Sequence, residues 1–142
     1  MMKDQSVAGA GAGFTLIEAL VVAAILAMVA SVVFIRIQTY RMRLRDAERE
    51  AQMTIFQDAL ALYITEKRTF PHYDAIVITG RDPFSQELID AGVIRSVKPD
   101  PLNIGAHVYT YDSPSGATYA IFYSLETDSI PGKAKGHQSV VP

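Results

Sequence analysis

The chain has 142 residues and a formal net charge of −2 at pH 7, with 13 Lys and Arg residues against 15 Asp and Glu residues. This length suits one small domain, and the balance of charge provides no basic surface of the kind that nucleic-acid binding requires. The chain contains no cysteine, which excludes disulfides and thiol chemistry. We therefore predict no nucleic-acid partner for this chain.

The first long element of the chain is apolar on every face. Between Ala19 and Ile35 the only polar side chain is that of Ser31. Counted from Phe14, the run has about 22 residues, or roughly 33 Å of helix, and a bilayer has a hydrocarbon core of roughly 30 Å. A buried core helix is the alternative, but the remaining chain is too short and too polar to cover such a helix. The sequence therefore predicts a membrane-spanning helix.

Small residues precede this apolar run and indicate how the chain is processed. Alanine and glycine alternate over residues 8–13. An ordinary secretory signal has the reverse order, with the small-residue cleavage site after the apolar stretch. Cleavage after Gly13 would remove residues 1–13 as a leader and would leave the apolar segment on the mature protein.

One carboxylate, that of Glu18, lies near the start of the predicted span. A charged side chain costs about 2.5–3.5 kcal/mol at the bilayer centre and less near an end of the helix. Two interpretations are open: the carboxylate reaches the lipid headgroups, or it pairs with a cation from another chain. Cleavage after Gly13 would supply that cation, because the new amino group of Phe14 is positively charged at neutral pH.

The sequence Gly13-Phe14-Thr15-Leu16-Ile17-Glu18, followed by the apolar run, resembles the amino-terminal motif of type IV pilins and type II secretion pseudopilins. The resemblance implies that a prepilin peptidase cuts between Gly13 and Phe14 and methylates the new amino group of Phe14, which keeps its charge. It also implies that Glu18 acts in filament assembly. The implied partners are the peptidase, an inner-membrane assembly platform, and other pilin or pseudopilin subunits.

By the same resemblance, the helix crosses the inner (cytoplasmic) membrane once, with its carboxyl-terminal head on the extracytoplasmic side, and the subunit ends in a periplasmic or cell-surface filament. A count of positive charges favours the opposite orientation. The arginines that follow the span are Arg36, Arg41, Arg43 and Arg45. The resemblance carries more weight here, because these arginines also belong to the stem helix that continues from the span.

The segment over residues 36–67 has no glycine or proline and continues the helix as a stem. The chain also lacks the glycine near Ala27 and the proline near Ile35 that many pilins have, so we predict an unbroken helix from near Phe14 to about Lys67. Apolar residues recur at steps of three and four, which predicts one apolar face. They are Ile37, Tyr40, Leu44, Ala47, Ala51, Ile55, Ala59 and Tyr63.

The other faces of the stem carry the charged residues Arg41, Arg45, Asp46, Glu48, Arg49 and Glu50. We interpret them as a solvated face. Asp46 with Arg49, and Arg45 with Glu48, have the i,i+3 spacing of ion pairs on a helix.

The remaining residues predict a small head that packs on the stem. We expect a strand at residues 74–79, a helix from Pro83 to Ala91 capped by Asp82, and a hairpin of residues 108–111 and 117–126. We expect the tail from about Pro131 to be mobile. The predicted fold is α+β and pilin-like, a long N-terminal helix packed on a small antiparallel β-sheet. Its parts are a leader (1–13), a transmembrane and stem helix (14–68) and a head (69–142).

No residue pattern predicts catalysis, a cofactor or a metal. His72, His107 and His137 do not have the spacing of metal ligands, and Glu126 with Asp128 makes no dense run of oxygen ligands for calcium. The chain is therefore predicted to be not an enzyme but a structural subunit of a type IV pilus-like or type II secretion pseudopilus filament. The alternatives are a monomeric, single-pass anchored binding module with an extracytoplasmic head, and a minor pilin at the filament tip.

Overall fold

A computed structural model describes residues 13–142, so the predicted leader lies outside the described residues except for Gly13. The described chain divides into two compact units, one ending at Gln38 and one comprising Thr39–Pro142. The elements in chain order are α1 (Leu16–Lys67), β1 (Tyr73–Ile78), α2 (Pro83–Asp90), β2 (Tyr109–Ser113), β3 (Ala120–Leu125) and β4 (Gly136–Val140).

Helix α1 has 52 residues and is unbroken, which confirms the predicted continuous stem. No glycine or proline interrupts it. The helix ends because Arg68 takes a left-handed φ of 66°, which directs the chain out of the helical path.

In the first unit, the apolar segment of α1 has no covering residues. Every side chain from Phe14 to Ile35 is exposed, and this part of the helix is long and apolar enough to cross a membrane. An apolar surface of this extent needs a lipid or protein environment, because in water it would be strongly destabilising.

In the second unit, the four strands form one antiparallel sheet with the order β1-β2-β3-β4. The three predicted strands are confirmed, although β2 extends to Ser113 and β3 begins only at Ala120. The tail that we expect to be mobile contains a fourth strand that the sequence did not predict. Residues 136–140 form β4, which pairs with β3 from Ile121↔Val140 to Leu125↔Gly136.

Helix α2 confirms the cap predicted from the sequence. The Asp82 carboxylate accepts a hydrogen bond from the backbone N–H of Ser85 at 2.9 Å, and Pro83 occupies the first turn. A proline is tolerated there because the first-turn N–H groups have no partner within the helix. Local chemistry alone fixes the start of this helix.

The core of the second unit lies between the sheet and the carboxyl-terminal part of α1. Phe56 of α1 meets Tyr109 of β2 edge-on with 6.1 Å between ring centroids, and Phe84 of α2 stacks on Tyr111 at 4.1 Å. In β3 and the residue directly before it, every second side chain is buried, and Ser124 is buried as well. The alternating buried residues are Tyr119, Ile121, Tyr123 and Leu125.

The predicted apolar face of the stem is only partly correct. Its upper members Ala59 and Tyr63 are buried, but Tyr40, Leu44 and Ile55 are exposed. The covered face is instead formed by Asp46, Arg49, Gln52, Met53, Phe56, Ala59, Leu60 and Tyr63. The periodicity located a helix correctly and misplaced its buried side, because the head covers charged residues whose partners lie far away in sequence.

Candidate functional site

The first candidate site is the segment immediately before α1. Gly13 and Phe14 are exposed and lie outside the helix. A Cβ placed on Gly13 would have no atom within 4 Å, and the Phe14 side chain is 66% exposed. The peptide bond between them therefore lies in an exposed part of the described chain.

Thr15 and Glu18 close the first turn of α1 with a reciprocal pair of hydrogen bonds. The backbone N–H of Glu18 donates to Thr15 Oγ1 at 3.3 Å, and the backbone N–H of Thr15 donates to Glu18 Oε2 at 3.5 Å. This is a capping box, in which two N–H groups that lack helical partners are satisfied by side chains. The negative carboxylate also lies at the positive end of the helix dipole.

The capping box gives Glu18 a local role that our sequence analysis missed. The signal was present as a threonine followed three residues later by a glutamate, directly before an apolar run. Within a single chain, the Glu18 carboxylate thus already accepts a hydrogen bond from the backbone N–H of Thr15. The position of Glu18 near the start of the apolar segment agrees with both interpretations that the sequence left open.

The second candidate site is a network of buried charges centred on Arg49. The Arg49 side chain is fully buried, and its guanidinium bonds three carboxylates. It donates to Asp46 Oδ1 at 2.8 Å, to Asp100 at 2.7 and 3.0 Å, and to Glu126 Oε1 at 2.8 Å. A buried guanidinium requires such partners, because an unpaired charge would carry a desolvation cost of several kcal/mol.

Further hydrogen bonds join this network to the end of β3. Arg45 Nε donates to Glu126 Oε1 at 2.7 Å. Asp46 accepts the backbone N–H groups of Glu126 and Thr127, each at 2.9 Å, and the Thr127 hydroxyl at 2.7 Å. Every carboxylate oxygen of the network therefore has a donor.

The structure corrects the predicted solvated face at these positions. Asp46 and Arg49 do pair, as their spacing predicts, but both are buried. Arg45 pairs with Glu126 rather than with Glu48. The reason is that a bidentate bond to a partly buried carboxylate is stronger than an exposed i,i+3 pair.

The network shifts the pKa values of Glu126, Asp100 and Arg49 so that the charged form of each side chain is favoured. The hydrogen bond from Arg45, together with that from Arg49, lowers the pKa of Glu126 to about 2. Burial raises the pKa of Asp100, but the hydrogen bonds from Arg49 and from the backbone N–H groups of Leu102 and Asn103, together with the charge of Arg49, outweigh it and the net pKa is lowered. Burial likewise opposes the charge of Arg49, and its bonds to Asp100 and Glu126 raise its pKa overall.

A second, more exposed cluster joins the β3–β4 connection to the stem. Lys133 Nζ donates to Glu50 Oε2 and to the Tyr123 hydroxyl oxygen, both at 2.7 Å, and the Tyr123 hydroxyl donates to Glu50 Oε1 at 2.6 Å. Together, the two clusters attach the end of β3 and the segment after it to the helix.

The three histidines do not come together. His72 Nε2 lies 3.0 Å from Thr69 Oγ1, and His137 Nδ1 lies 3.3 Å from Ser124 Oγ, whereas His107 belongs to the loop before β2. Over residues 13–142 no group of three or more His, Asp or Glu side chains is arranged to hold a metal ion.

The exposed apolar helix with its capped start fits a chain that is anchored in a membrane through its amino-terminal segment. A family model described as the prokaryotic N-terminal methylation motif matches residues 11–34. The match confirms the resemblance to the amino-terminal segment of type IV pilins and pseudopilins, a structural family whose members are processed by prepilin peptidase and assemble with other pilin subunits. No curated protein and no solved structure matches the chain.

Proposed function

We propose that the chain is a structural subunit of a type IV pilus-like or type II secretion pseudopilus filament. The observation that carries this proposal is the uncovered apolar half of α1, which begins at a methylation motif. Cleavage between Gly13 and Phe14 and methylation of the Phe14 amino group produce the mature subunit. It comprises the transmembrane and stem helix, residues 14–68, and the head, residues 69–142.

The apolar segment has two successive environments. Before assembly it lies in the inner membrane as a single span, with the head on the extracytoplasmic side. An inner-membrane assembly platform then transfers it into the filament, where stems of other subunits replace the lipid. Burial of the same apolar surface stabilises both states, so the exchange costs little free energy.

Glu18 acts in both states. In the membrane its carboxylate caps α1 through the backbone N–H of Thr15. In the filament it pairs with the charged amino group of Phe14 from a neighbouring subunit, and a shift in register would leave both charges unpaired in an apolar core. The pair therefore selects one stagger between stems.

Replacing Glu18 separates its two roles. Glutamine can act at this position of a capping box, so Glu18→Gln keeps the cap and removes only the charge, whereas Glu18→Ala removes both. We expect cells that produce either variant to form few filaments. The filaments are sheared from the cells and counted by electron microscopy. Glu48→Gln, at an exposed stem position, is the matched control and should assemble normally.

Mass spectrometry of the membrane-extracted protein accompanies this experiment. Loss of residues 1–13 and addition of one methyl group is the expected result for a filament subunit, whereas an intact leader would favour the single-pass anchored binding module. If processed Glu18→Gln assembles at wild-type levels, the pairing of Glu18 with the Phe14 amine is wrong.

A further inference from the structure

Two arginines near the start of the second unit carry charges that the head does not neutralise. The basic residues between positions 41 and 49 are four arginines, and two of them, Arg45 and Arg49, bind carboxylates of the buried network. The other two, Arg41 and Arg43, are exposed, and their side chains have no hydrogen bond or ion pair among residues 13–142. Two positive charges are therefore left on this part of the stem.

Arg41 and Arg43 flank a small apolar patch on the uncovered side of the stem. Tyr40 is 63% exposed and Leu44 is 52% exposed. These two residues lie four positions apart, so their side chains are neighbours on one face of the helix. At about 100° per residue, Arg41 lies on one side of the pair and Arg43 on the other. We call these four residues the stem-base face.

The stem-base face follows the apolar span closely along the same helix. Tyr40 comes five residues after Ile35, the end of the apolar run, which corresponds to roughly 7.5 Å of helix. The headgroup region on each side of the hydrocarbon core has a similar depth of about 5–7.5 Å. Side chains of a helix tilt toward its amino end, which here is the end that carries the span. The long side chains of Arg41 and Arg43 can therefore reach the headgroups.

The chemistry of the stem-base face fits an anionic phospholipid. Guanidinium groups bind phosphate oxygens through paired hydrogen bonds, and tyrosine is enriched at membrane–water interfaces. No Asp or Glu occurs in residues 19–45, so no acidic side chain of this segment repels a negative headgroup. The rest of the stem differs, because Glu48, Asp58 and Glu66 are exposed there.

We infer that Arg41 and Arg43 bind the phosphate groups of anionic phospholipids while the span lies in the membrane, with Tyr40 and Leu44 seated among the headgroups. The inference rests on the membrane-inserted stage of the proposed function. It does not require that the subunit later enters a filament, so the two can fail separately.

Electron spin resonance with spin-labelled lipids tests the preference for anionic lipid. The full chain is reconstituted in phosphatidylcholine vesicles with a trace of spin-labelled phosphatidylglycerol, which is anionic, or spin-labelled phosphatidylcholine, which is zwitterionic. We expect wild type to bind the anionic lipid several-fold more strongly. The combined variant Arg41→Gln, Arg43→Gln should lose most of this preference, by up to about fivefold per arginine. In about 1 M NaCl the wild-type preference should also disappear, because the Debye length is then only about 3 Å.

Arg81→Gln combined with Arg95→Gln is the matched control, since it removes two exposed arginines from the head. It should keep the full preference. Equal binding of the two lipids by wild type would overturn the inference, as would a preference that survives in Arg41→Gln, Arg43→Gln. Loss of filaments by that variant with an unchanged lipid preference would show that the arginines contact another subunit instead. None of these results decides the filament function, which the Glu18 variants test.

The absence of native cysteine allows the position of the apolar pair to be tested separately. A nitroxide is attached at Leu44→Cys or at Glu66→Cys, which lies near the carboxyl end of α1. Oxygen concentrates in the bilayer and a water-soluble nickel chelate is excluded from it. We expect a higher ratio of oxygen to nickel-chelate collisions at Leu44→Cys than at Glu66→Cys. Equal ratios would place Leu44 in water and would overturn the insertion of the stem-base face among the headgroups.

Discussion

Arg49 is the residue on which the attachment of stem to head depends most. It is fully buried and joins Asp46 of its own helix to Asp100 and Glu126 of the head. Removing one partner of such a group is strongly destabilising, because the remaining buried charges lose their compensation. A shift of the head that separates Asp100 or Glu126 from Arg49 would leave buried charges unpaired, so the network favours the observed arrangement of head and stem.

The acid stability of the head should follow the carboxylates bound to Arg45 and Arg49. The pKa of Glu126 falls from 4.5 to about 2 on folding, so its contribution is fully present above pH 4.5 and is lost as the pH falls toward 2. The pKa of Asp100 is also lowered on folding, so protonation of Asp100 at low pH destabilises the head as well. We expect the free energy of unfolding, measured with urea in detergent, to decrease across this window.

A charge-neutral variant identifies the group responsible for the acid dependence. Glu126→Gln should lower stability at pH 7 and flatten the decrease below pH 4.5. Glu66→Gln, at an exposed position, should leave the curve unchanged. Parallel curves for wild type and Glu126→Gln would show that Glu126 does not carry the acid dependence.

Only part of this network could be predicted from the sequence. The pair of Asp46 and Arg49 follows from helical spacing. Asp100 and Glu126 lie 51 and 77 residues from Arg49, and nothing local indicates that they meet it. The buried state of the pair follows from these distant partners, which is why a solvated face was the wrong interpretation.

At the scale of elements, local chemistry decided which predictions succeeded. The unbroken α1 follows from the absence of glycine and proline, and the start of α2 follows from Asp82 and Pro83. Strand β4 has the sequence Gly-His-Gln-Ser-Val and little intrinsic preference for a strand. Its conformation comes from pairing with β3, a tertiary effect that sequence periodicity does not show.

Hydrogen exchange tests whether β4 is a stable strand. Five residue pairs join β3 and β4, so we expect amides within residues 136–140 that bond to β3 to exchange slowly. The backbone N–H groups of the exposed residues Gly132 and Ala134 provide the internal comparison and should exchange quickly. Equal, rapid exchange in both segments would instead restore the expectation of a mobile tail.

For the whole molecule, the proposed function predicts on which side of the membrane the head lies. The proposed function places the head outside, although exposed arginines follow the span. We expect a protease added to unlysed spheroplasts to digest the head, with a cytoplasmic protein as the control for lysis. A head that resists digestion until the membrane is permeabilised would reverse the orientation and contradict the filament proposal.

The long separation between contacting residues also sets an order of events during synthesis. Met53, Phe56 and Leu60 of α1 belong to a core whose other members follow them in the chain, with Leu125 of β3 among them and Val140 of β4 packed against it. Because a chain emerges from its amino terminus, this face of the helix is made early and stays bare until β3 has been synthesised. Folding of the head is therefore a late step of synthesis. A chain truncated before β3 would display bare apolar and charged residues, which quality-control proteases recognise.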